Sequence, residues 1–332
     1  MTDVAVVKAD HLGDFILSLP ALRKLSQKFG KFDFFAAPGN QFLQEYFLPD
    51  EVTFRPTRLA YLQKDDTGEG LTEFIASVRS YALVIFLRDD GFSLDACNIL
   101  GKRSTMSHGS NSVHETRIQQ NAVEPLTGAY SRTDLFWPSK KISWPERITC
   151  VGLSLSAGFF ANKMPLITWW RLGQTLRDKR SIRLKLIGGP LEADELRMLG
   201  GLLHVGKADM IVGGPNLDEF YDGIGECDVV VGADSGTLHL VSAQVPVLGI
   251  FTSSPWQRFS PFGAHNRVLY SDVPCSPCIQ FSKHAFNGCM SRECAALISP
   301  IDIEEALFAE PDVVPSALGP LVNLVFGPSH IT

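Results

Sequence analysis

The run Cys227-Asp228-Val229-Val230-Val231-Gly232-Ala233-Asp234-Ser235-Gly236-Thr237-Leu238-His239-Leu240 constrains this chain more than any other stretch. Three consecutive branched apolar residues show no polar alternation, which suits a strand covered on both faces. Gly232 to Gly236 then predict a sharp turn, and Thr237 onward predicts a helix. Strands buried on both faces belong to parallel sheets, whose crossovers are usually helices. The same joint sets the Asp234 carboxylate beside unpaired backbone N–H groups and the positive end of a helix dipole, a seat for phosphate. Asp234 could accept from sugar hydroxyls while the N–H groups hold the anion. The stretch reads equally well as an ordinary strand–turn–helix joint capped by Asp or Ser.

The alternation extends along nearly the whole chain. Strands are expected at Val4–Val7, Phe32–Ala36 and Leu83–Leu87, with helices around Leu17–Phe29 and Leu71–Arg79. A hydrophilic, less regular stretch covers about residues 102 to 131. Two prolines and a charge cluster between Phe136 and Arg147 then resemble an interdomain linker. The second half predicts strands at Thr149–Leu155, Arg183–Ile187, Val229–Val231 and Val247–Phe251. Helices are expected there at Leu166–Asp178, Glu192–Leu199, Leu217–Gly225 and Thr237–Ala243. The fold class is α/β: two Rossmann-like domains, 1–145 and 146–332, with parallel sheets facing a cleft. The basic run from Arg177 to Arg183 sits at a helix C-terminus, where positive charge is stabilising, and carries no functional weight.

A length of 332 residues exceeds what one core usually supports, which agrees with two domains. The formal charge of −6 argues against a nucleic-acid partner, which would select a basic face. No basic segment precedes Val4, so no signal peptide is expected, and no apolar stretch is long enough to span a bilayer. Seven cysteines, an odd number, with Cys97, Cys150 and Cys227 in apolar surroundings, suit a reducing cytoplasm better than a disulfide framework.

Lys8-Ala9-Asp10-His11-Leu12-Gly13-Asp14 follows the first strand and precedes a helix, where open α/β sheets bind ligands. Gly13 permits a tight turn. Asp14 could act as a general base on a hydroxyl, or could simply cap the helix. Pro20 is expected to kink that helix. Neither G-x-G-x-x-G nor G-x-x-x-x-G-K-[ST] is present here, which counts against a dinucleotide-binding dehydrogenase and a P-loop nucleotidase.

The two loops together resemble the ADP-heptose:lipopolysaccharide heptosyltransferases, glycosyltransferase family 9. The opening from Val6 to Leu22, with Gly13-Asp14 and Leu19-Pro20-Ala21-Leu22, is similar to that family's N-terminal pattern. Asp234-Ser235-Gly236-Thr237-Leu238-His239 is similar to its Asp-Ser/Thr-Gly-x-x-His block, and Pro261-Phe262-Gly263 to its Pro-Tyr-Gly. The similarity spans about residues 4 to 30 and 150 to 306. The resemblance implies a GT-B fold and an inverting glycosyltransferase that needs no cofactor for catalysis. Asp14 falls at the position of the catalytic base, and Lys163 at that of a lysine facing the donor diphosphate. Donor contacts would come from Ser156, Gly158, Glu192, Asn216, Leu217, Asp234, Ser235, Gly236, Thr237 and His239; His239 could equally only pack in its helix. The family's usual Lys-x-Trp-Pro reads Lys163-Met164-Pro165 here, and the loop after Phe251 reads Thr252-Ser253-Ser254 where glycine is common.

The implied partners are ADP-heptose and a hydroxyl acceptor: lipopolysaccharide core or a related glycan, a glycolipid, a protein or a small molecule. Action in the cytoplasm, with at most peripheral contact at the inner face of the membrane, follows from the same resemblance. A sugar-nucleotide epimerase and a non-catalytic sugar-nucleotide binder are the alternatives on this architecture. Cys275, Cys278, Cys289 and Cys294 form C-x2-C-x10-C-x4-C, a spacing open to structural zinc or iron and equally to free thiols.

Overall fold

Five strands open the chain: β1 (Val4–Lys8), β2 (Phe32–Ala36), β3 (Val52–Pro56), β4 (Leu83–Phe86) and β5 (Ser104–Met106). Seven follow: β6 (Cys150–Ser154), β7 (Arg183–Gly188), β8 (Met210–Val212), β9 (Val229–Ala233), β10 (Val247–Phe251), β11 (Arg267–Ser271) and β12 (Val322–Phe326). The computed structural model describes residues 3–57, 69–129, 142–214, 216–278, 289, 291–310, 315 and 318–327. These fall into two units, residues 3–129 and 142–327. Part of the expected linker, residues 136–141, lies outside the described residues.

The first unit holds a parallel sheet in the order β3-β2-β1-β4-β5. Every residue of β1 and β2 is buried, as expected of strands with helices on both faces. Side chains of β2 alternate between two aromatic clusters. Phe34 packs against Phe15 of the helix Leu12–Phe29 at 5.7 Å and against Phe54 at 6.3 Å. Phe35 turns the other way, to Phe74 at 5.9 Å, and Phe74 reaches Phe86 at 6.0 Å and Phe92 at 5.8 Å. Each such pair adds about 0.5–1.5 kcal/mol beyond its buried area.

The second unit holds a seven-stranded sheet, β12-β11-β10-β9-β6-β7-β8. Its strands run parallel except that β12 returns antiparallel to β11. Val151, Leu153, Val229, Val231, Leu248 and Ile250 pack with Trp169, Leu172 and Leu176 of the helix Leu166–Arg180. At the β12 edge, buried Arg267 lies 3.7 Å from the Trp144 ring centre and 4.9 Å from that of Phe326. It donates to the Ala306 and Leu307 carbonyls at 2.8 and 3.2 Å, and burial pulls its guanidinium down to about 10. Among the described residues no helix is long and apolar enough to cross a membrane.

Several expectations need correction. The first helix begins at Leu12, not Leu17, so Gly13 and Asp14 lie inside its first turn, and it runs through Pro20 to Phe29. The stretch read as irregular contains β5 and the helix Glu115–Thr127. That helix buries Glu115, Thr116, Gln119 and Gln120 beside Ile118 and Val123, so its inner face carries no apolar stripe to read. Strands β3, β8, β11 and β12 were also not anticipated: β8 has only three residues, and β3 has one face exposed.

Candidate active site

Each sheet changes direction once. In the first, the chain winds outward from β1 through β2 to β3 and resumes on the other side with β4 and β5, leaving a switch point between β1 and β4. In the second, the corresponding point lies between β6 and β9. Ligands of doubly wound sheets bind outside the carboxyl ends of the strands at such points. Asp14 follows β1 and Asp234 follows β9, so both expected carboxylates stand at switch points.

Lys8, the last residue of β1, is 3 % exposed and collects three carboxylates: Glu115 at 2.9 Å, Asp10 at 3.0 Å and Asp14 at 3.6 Å. Gln119 donates to the same Glu115 oxygen at 3.0 Å. From the end of β4, buried Arg88 pairs with Asp10 at 3.2 Å and also with Asp90. Asn40 donates to the Asp10 carbonyl at 3.2 Å. The helix cap is His11, which makes no side-chain capping bond; Asp14 sits in the first turn with its carboxylate towards Lys8. Asp14 is 23 % exposed and so open to a reactant. Burial, with Asp10 and Glu115 nearby, pushes its carboxyl up to about 6 against the opposing pull of Lys8. Burial would raise Asp10 as well, but Arg88 and Lys8 outweigh it and hold that group low. Burial alone would lower Lys8, yet its carboxylates keep it firmly protonated. A carboxylate with a raised pKa beside a fixed cation network suits proton abstraction near neutral pH.

In the second unit Ser235 caps the helix Gly236–Ser242, its hydroxyl accepting from Leu238 N–H at 3.2 Å. Capping therefore falls to Ser235, and the Asp234 carboxylate turns elsewhere. One of its oxygens accepts from Asn162 Nδ2 at 3.1 Å, and the other lies 4.0 Å from His239 Nε2. Gly158 N–H donates to the Asp234 carbonyl at 2.9 Å, tying the loop after β6 to the turn after β9. Glu192 Oε2 accepts from Gly189 N–H at 2.9 Å and from Ser156 Oγ at 3.3 Å. Lys163 Nζ stands 2.7 Å from Glu195 and 4.0 Å from Glu192. One face thus gathers Ser156, Gly158, Lys163, Glu192, Asp234 and His239. Asn216 instead caps its own helix, accepting from Glu219 N–H at 3.2 Å, and the Leu217 side chain lies in the core. Their loop is joined to the end of β7 by Gly213 N–H donating to Gly188 at 2.7 Å.

The family model of glycosyltransferase family 9 (heptosyltransferase) matches residues 112–287, more than half of the chain. The chain belongs to glycosyltransferase family 9. It is a glycosyltransferase of the heptosyltransferase type, on a GT-B fold. A family 9 glycosyl transferase from Veillonella parvula superposes with a TM-score of 0.63 at 18 % identity, over 92 % of this chain and 96 % of that one. The heptosyltransferase WaaC of E. coli, solved with ADP, gives 0.55 at 19 % identity, over 80 % and 92 %. TibC of enterotoxigenic E. coli, an iron-containing dodecameric glycosyltransferase, gives 0.55 at 13 %, over 91 % and 74 %. No curated protein sequence matches the chain significantly.

In this family 9 chain the four expected metal ligands differ in exposure: Cys275 and Cys278 are exposed, Cys289 is intermediate and Cys294 is buried. Burial raises the Cys278 thiol first, then the nearby Cys289 and Cys275; burial likewise raises Cys294, with Cys278 and Cys275 adding to it. They therefore share a neighbourhood, but among the described residues no three His, Cys, Asp or Glu side chains are arranged to hold a metal ion. As placed, the thiols do not form the tetrahedral set that the spacing suggested.

Sequence reasoning gave no role to Lys8, Arg88, Glu115 or Asn162. The signal for Lys8 was its place at the end of an unbroken apolar strand. Glu115 and Asn162 carried no signal, because a polar residue between loop and helix reads as solvated.

Proposed function

We propose that this enzyme transfers a heptose from ADP-heptose to a hydroxyl of a glycan acceptor, with lipopolysaccharide inner core as the leading candidate, inverting the anomeric carbon. The reading is carried by Asp14: a partly open carboxylate on a buried ion network, raised to about 6, at the carboxyl end of β1. Asp14 takes the proton of the acceptor hydroxyl as its oxygen bonds to the anomeric carbon. The bond from that carbon to the diphosphate oxygen breaks, and ADP leaves with the electron pair. Lys163 lies on the proposed donor face, where a cation would offset the charge growing on the departing diphosphate, and it is assigned that role. Ser156, Gly158 and the N–H groups of Gly236 and Thr237 are assigned to the phosphates. Asp234 takes the sugar hydroxyls and Glu192 the ribose. This division calls for no cofactor in catalysis, and action in the cytoplasm at the inner membrane face is proposed on the family resemblance alone.

Asp14→Asn tests the reading. Turnover should fall by at least about a thousandfold, while calorimetry finds the ADP-heptose Kd within about threefold of the parent. Retained turnover would remove the base, and a parent protein that binds no ADP-sugar would remove the donor. A structural metal at Cys275, Cys278, Cys289 and Cys294 would require these thiols to draw together from the positions described, into a set with all four places filled by protein. Elemental analysis should then find close to one iron or zinc per chain, and a stoichiometry near zero rejects it.

A further inference from the structure

Asn162 has no assigned part in the reaction, yet its side chain is fully buried at the centre of the donor face. Its Oδ1 accepts from Ser253 N–H at 3.2 Å, from the Ser253 hydroxyl and, at 3.5 Å, from the Thr252 hydroxyl. A backbone N–H can only donate, so this contact fixes which end of the amide is the oxygen. The Nδ2 end must then face its two acceptors, Ser254 Oγ at 2.7 Å and Asp234 Oδ2 at 3.1 Å. All the hydrogen-bonding capacity of the amide is used, and its orientation has no alternative.

The surroundings hold Asn162 in place from both sides. It ends the short turn Phe160–Asn162, with its N–H donating to Phe159 at 3.0 Å. Arg292 donates to the carbonyl of the next residue, Lys163, at 2.8 Å. Across the amide, the 252–254 loop is tied to the cysteine segment by the Ser276 hydroxyl donating to Thr252 and Cys278 N–H donating to Ser253 at 3.0 Å. A neutral amide donor directs one oxygen of Asp234 without cancelling its charge, as a lysine or arginine would. The contact therefore orients the carboxylate without itself adding a positive charge.

We propose that Asn162 is a positioning residue that aims the Asp234 carboxylate at the sugar of the donor and locks it to the 252–254 loop. The inference rests on the reading of Asp234 as the sugar-binding group. It separates two ligands: ADP-heptose carries the sugar that Asp234 would hold, and ADP does not.

The test uses the full chain and calorimetric Kd values for both ligands, in the parent, Asn162→Asp, Asp234→Ala and the double variant. Asn162→Asp keeps the shape but sets a second carboxylate against the first. ADP-heptose should bind about tenfold or more weakly, while ADP stays within roughly twofold. In the Asp234→Ala background the same change should cost ADP-heptose almost nothing, since the group through which it acts is gone. Ser254→Ala, milder on folding, should give a smaller loss confined to ADP-heptose. Equal weakening of both ligands, or losses that simply add in the double variant, would overturn the proposal in favour of a general structural role. If the parent binds ADP but gains nothing from the heptose, the sugar role of Asp234 fails, and this inference with it.

Discussion

Asp14 and Lys8 illustrate how a buried ion network can leave one member unsatisfied. Lys8 lies closer to Glu115 and Asp10, at 2.9 and 3.0 Å, than to Asp14 at 3.6 Å. Burial first, and then these two competing carboxylates, raise the Asp14 carboxyl against the pull of its cation, to about 6 from an ordinary 3.8. As a base it must be ionised, so kcat/KM should climb with pH to a midpoint near 6 and then level off. Stability runs the other way. The folded state binds this proton more tightly than the unfolded chain, so the contribution is fully present below 3.8 and is lost as pH rises through about 6. Asp14→Asn should then stabilise the protein at pH 8 by on the order of 2 kcal/mol and leave it unchanged near pH 4. Thermal melts at the two values check this, and a variant less stable at pH 8 would contradict it. Asp14 and Asp234 stood out in the sequence because each lies where a strand passes into a helix. Lys8, Arg88, Glu115 and Asn162 did not, because their roles come from contacts between residues far apart in the chain.

At the level of elements, the donor face depends on how closely the end of β9 meets its neighbours. A Cβ at Gly232 would lie 2.9 Å from Ser154 Cβ on β6 and 3.1 Å from Leu238 Cδ1 on the following helix. The Leu238 methyl can turn aside, but the Ser154 Cβ is fixed to its strand, so relief must come from a shift of β6 or of β9. Gly232→Ala should cost about 1–3 kcal/mol and weaken ADP-heptose binding as well. A melt and a titration measure the two, and unchanged values of both would show slack in the packing. Runs such as Val229–Val231 and Phe32–Ala36 announced their strands because both faces of each sheet are covered. The helix Glu115–Thr127 hid because its buried face is polar: Glu115 and Gln120 are each 1 % exposed and Gln119 is 0 %. That face mixes these polar side chains with Ile118 and Val123, and hydrophobic periodicity does not register it.

Across the whole molecule, the alternation of strand and helix sufficed to foresee two doubly wound units. Among the strands not foreseen is β12, whose antiparallel return depends on pairing with β11 and not on any local pattern. The first sheet is lined with phenylalanine, from Phe15 and Phe34 to Phe74 and Phe86, whereas Trp169 lies in the core of the second and Trp144 and Trp256 stack on Arg267 and Tyr270. Of the five tryptophans, four (Trp144, Trp169, Trp170 and Trp256) belong to the second unit. Most of the indole absorption thus lies in the unit that carries Asp234. Intrinsic fluorescence will therefore report mainly on events there, and a ligand held only by the phenylalanine-lined unit should change the emission less.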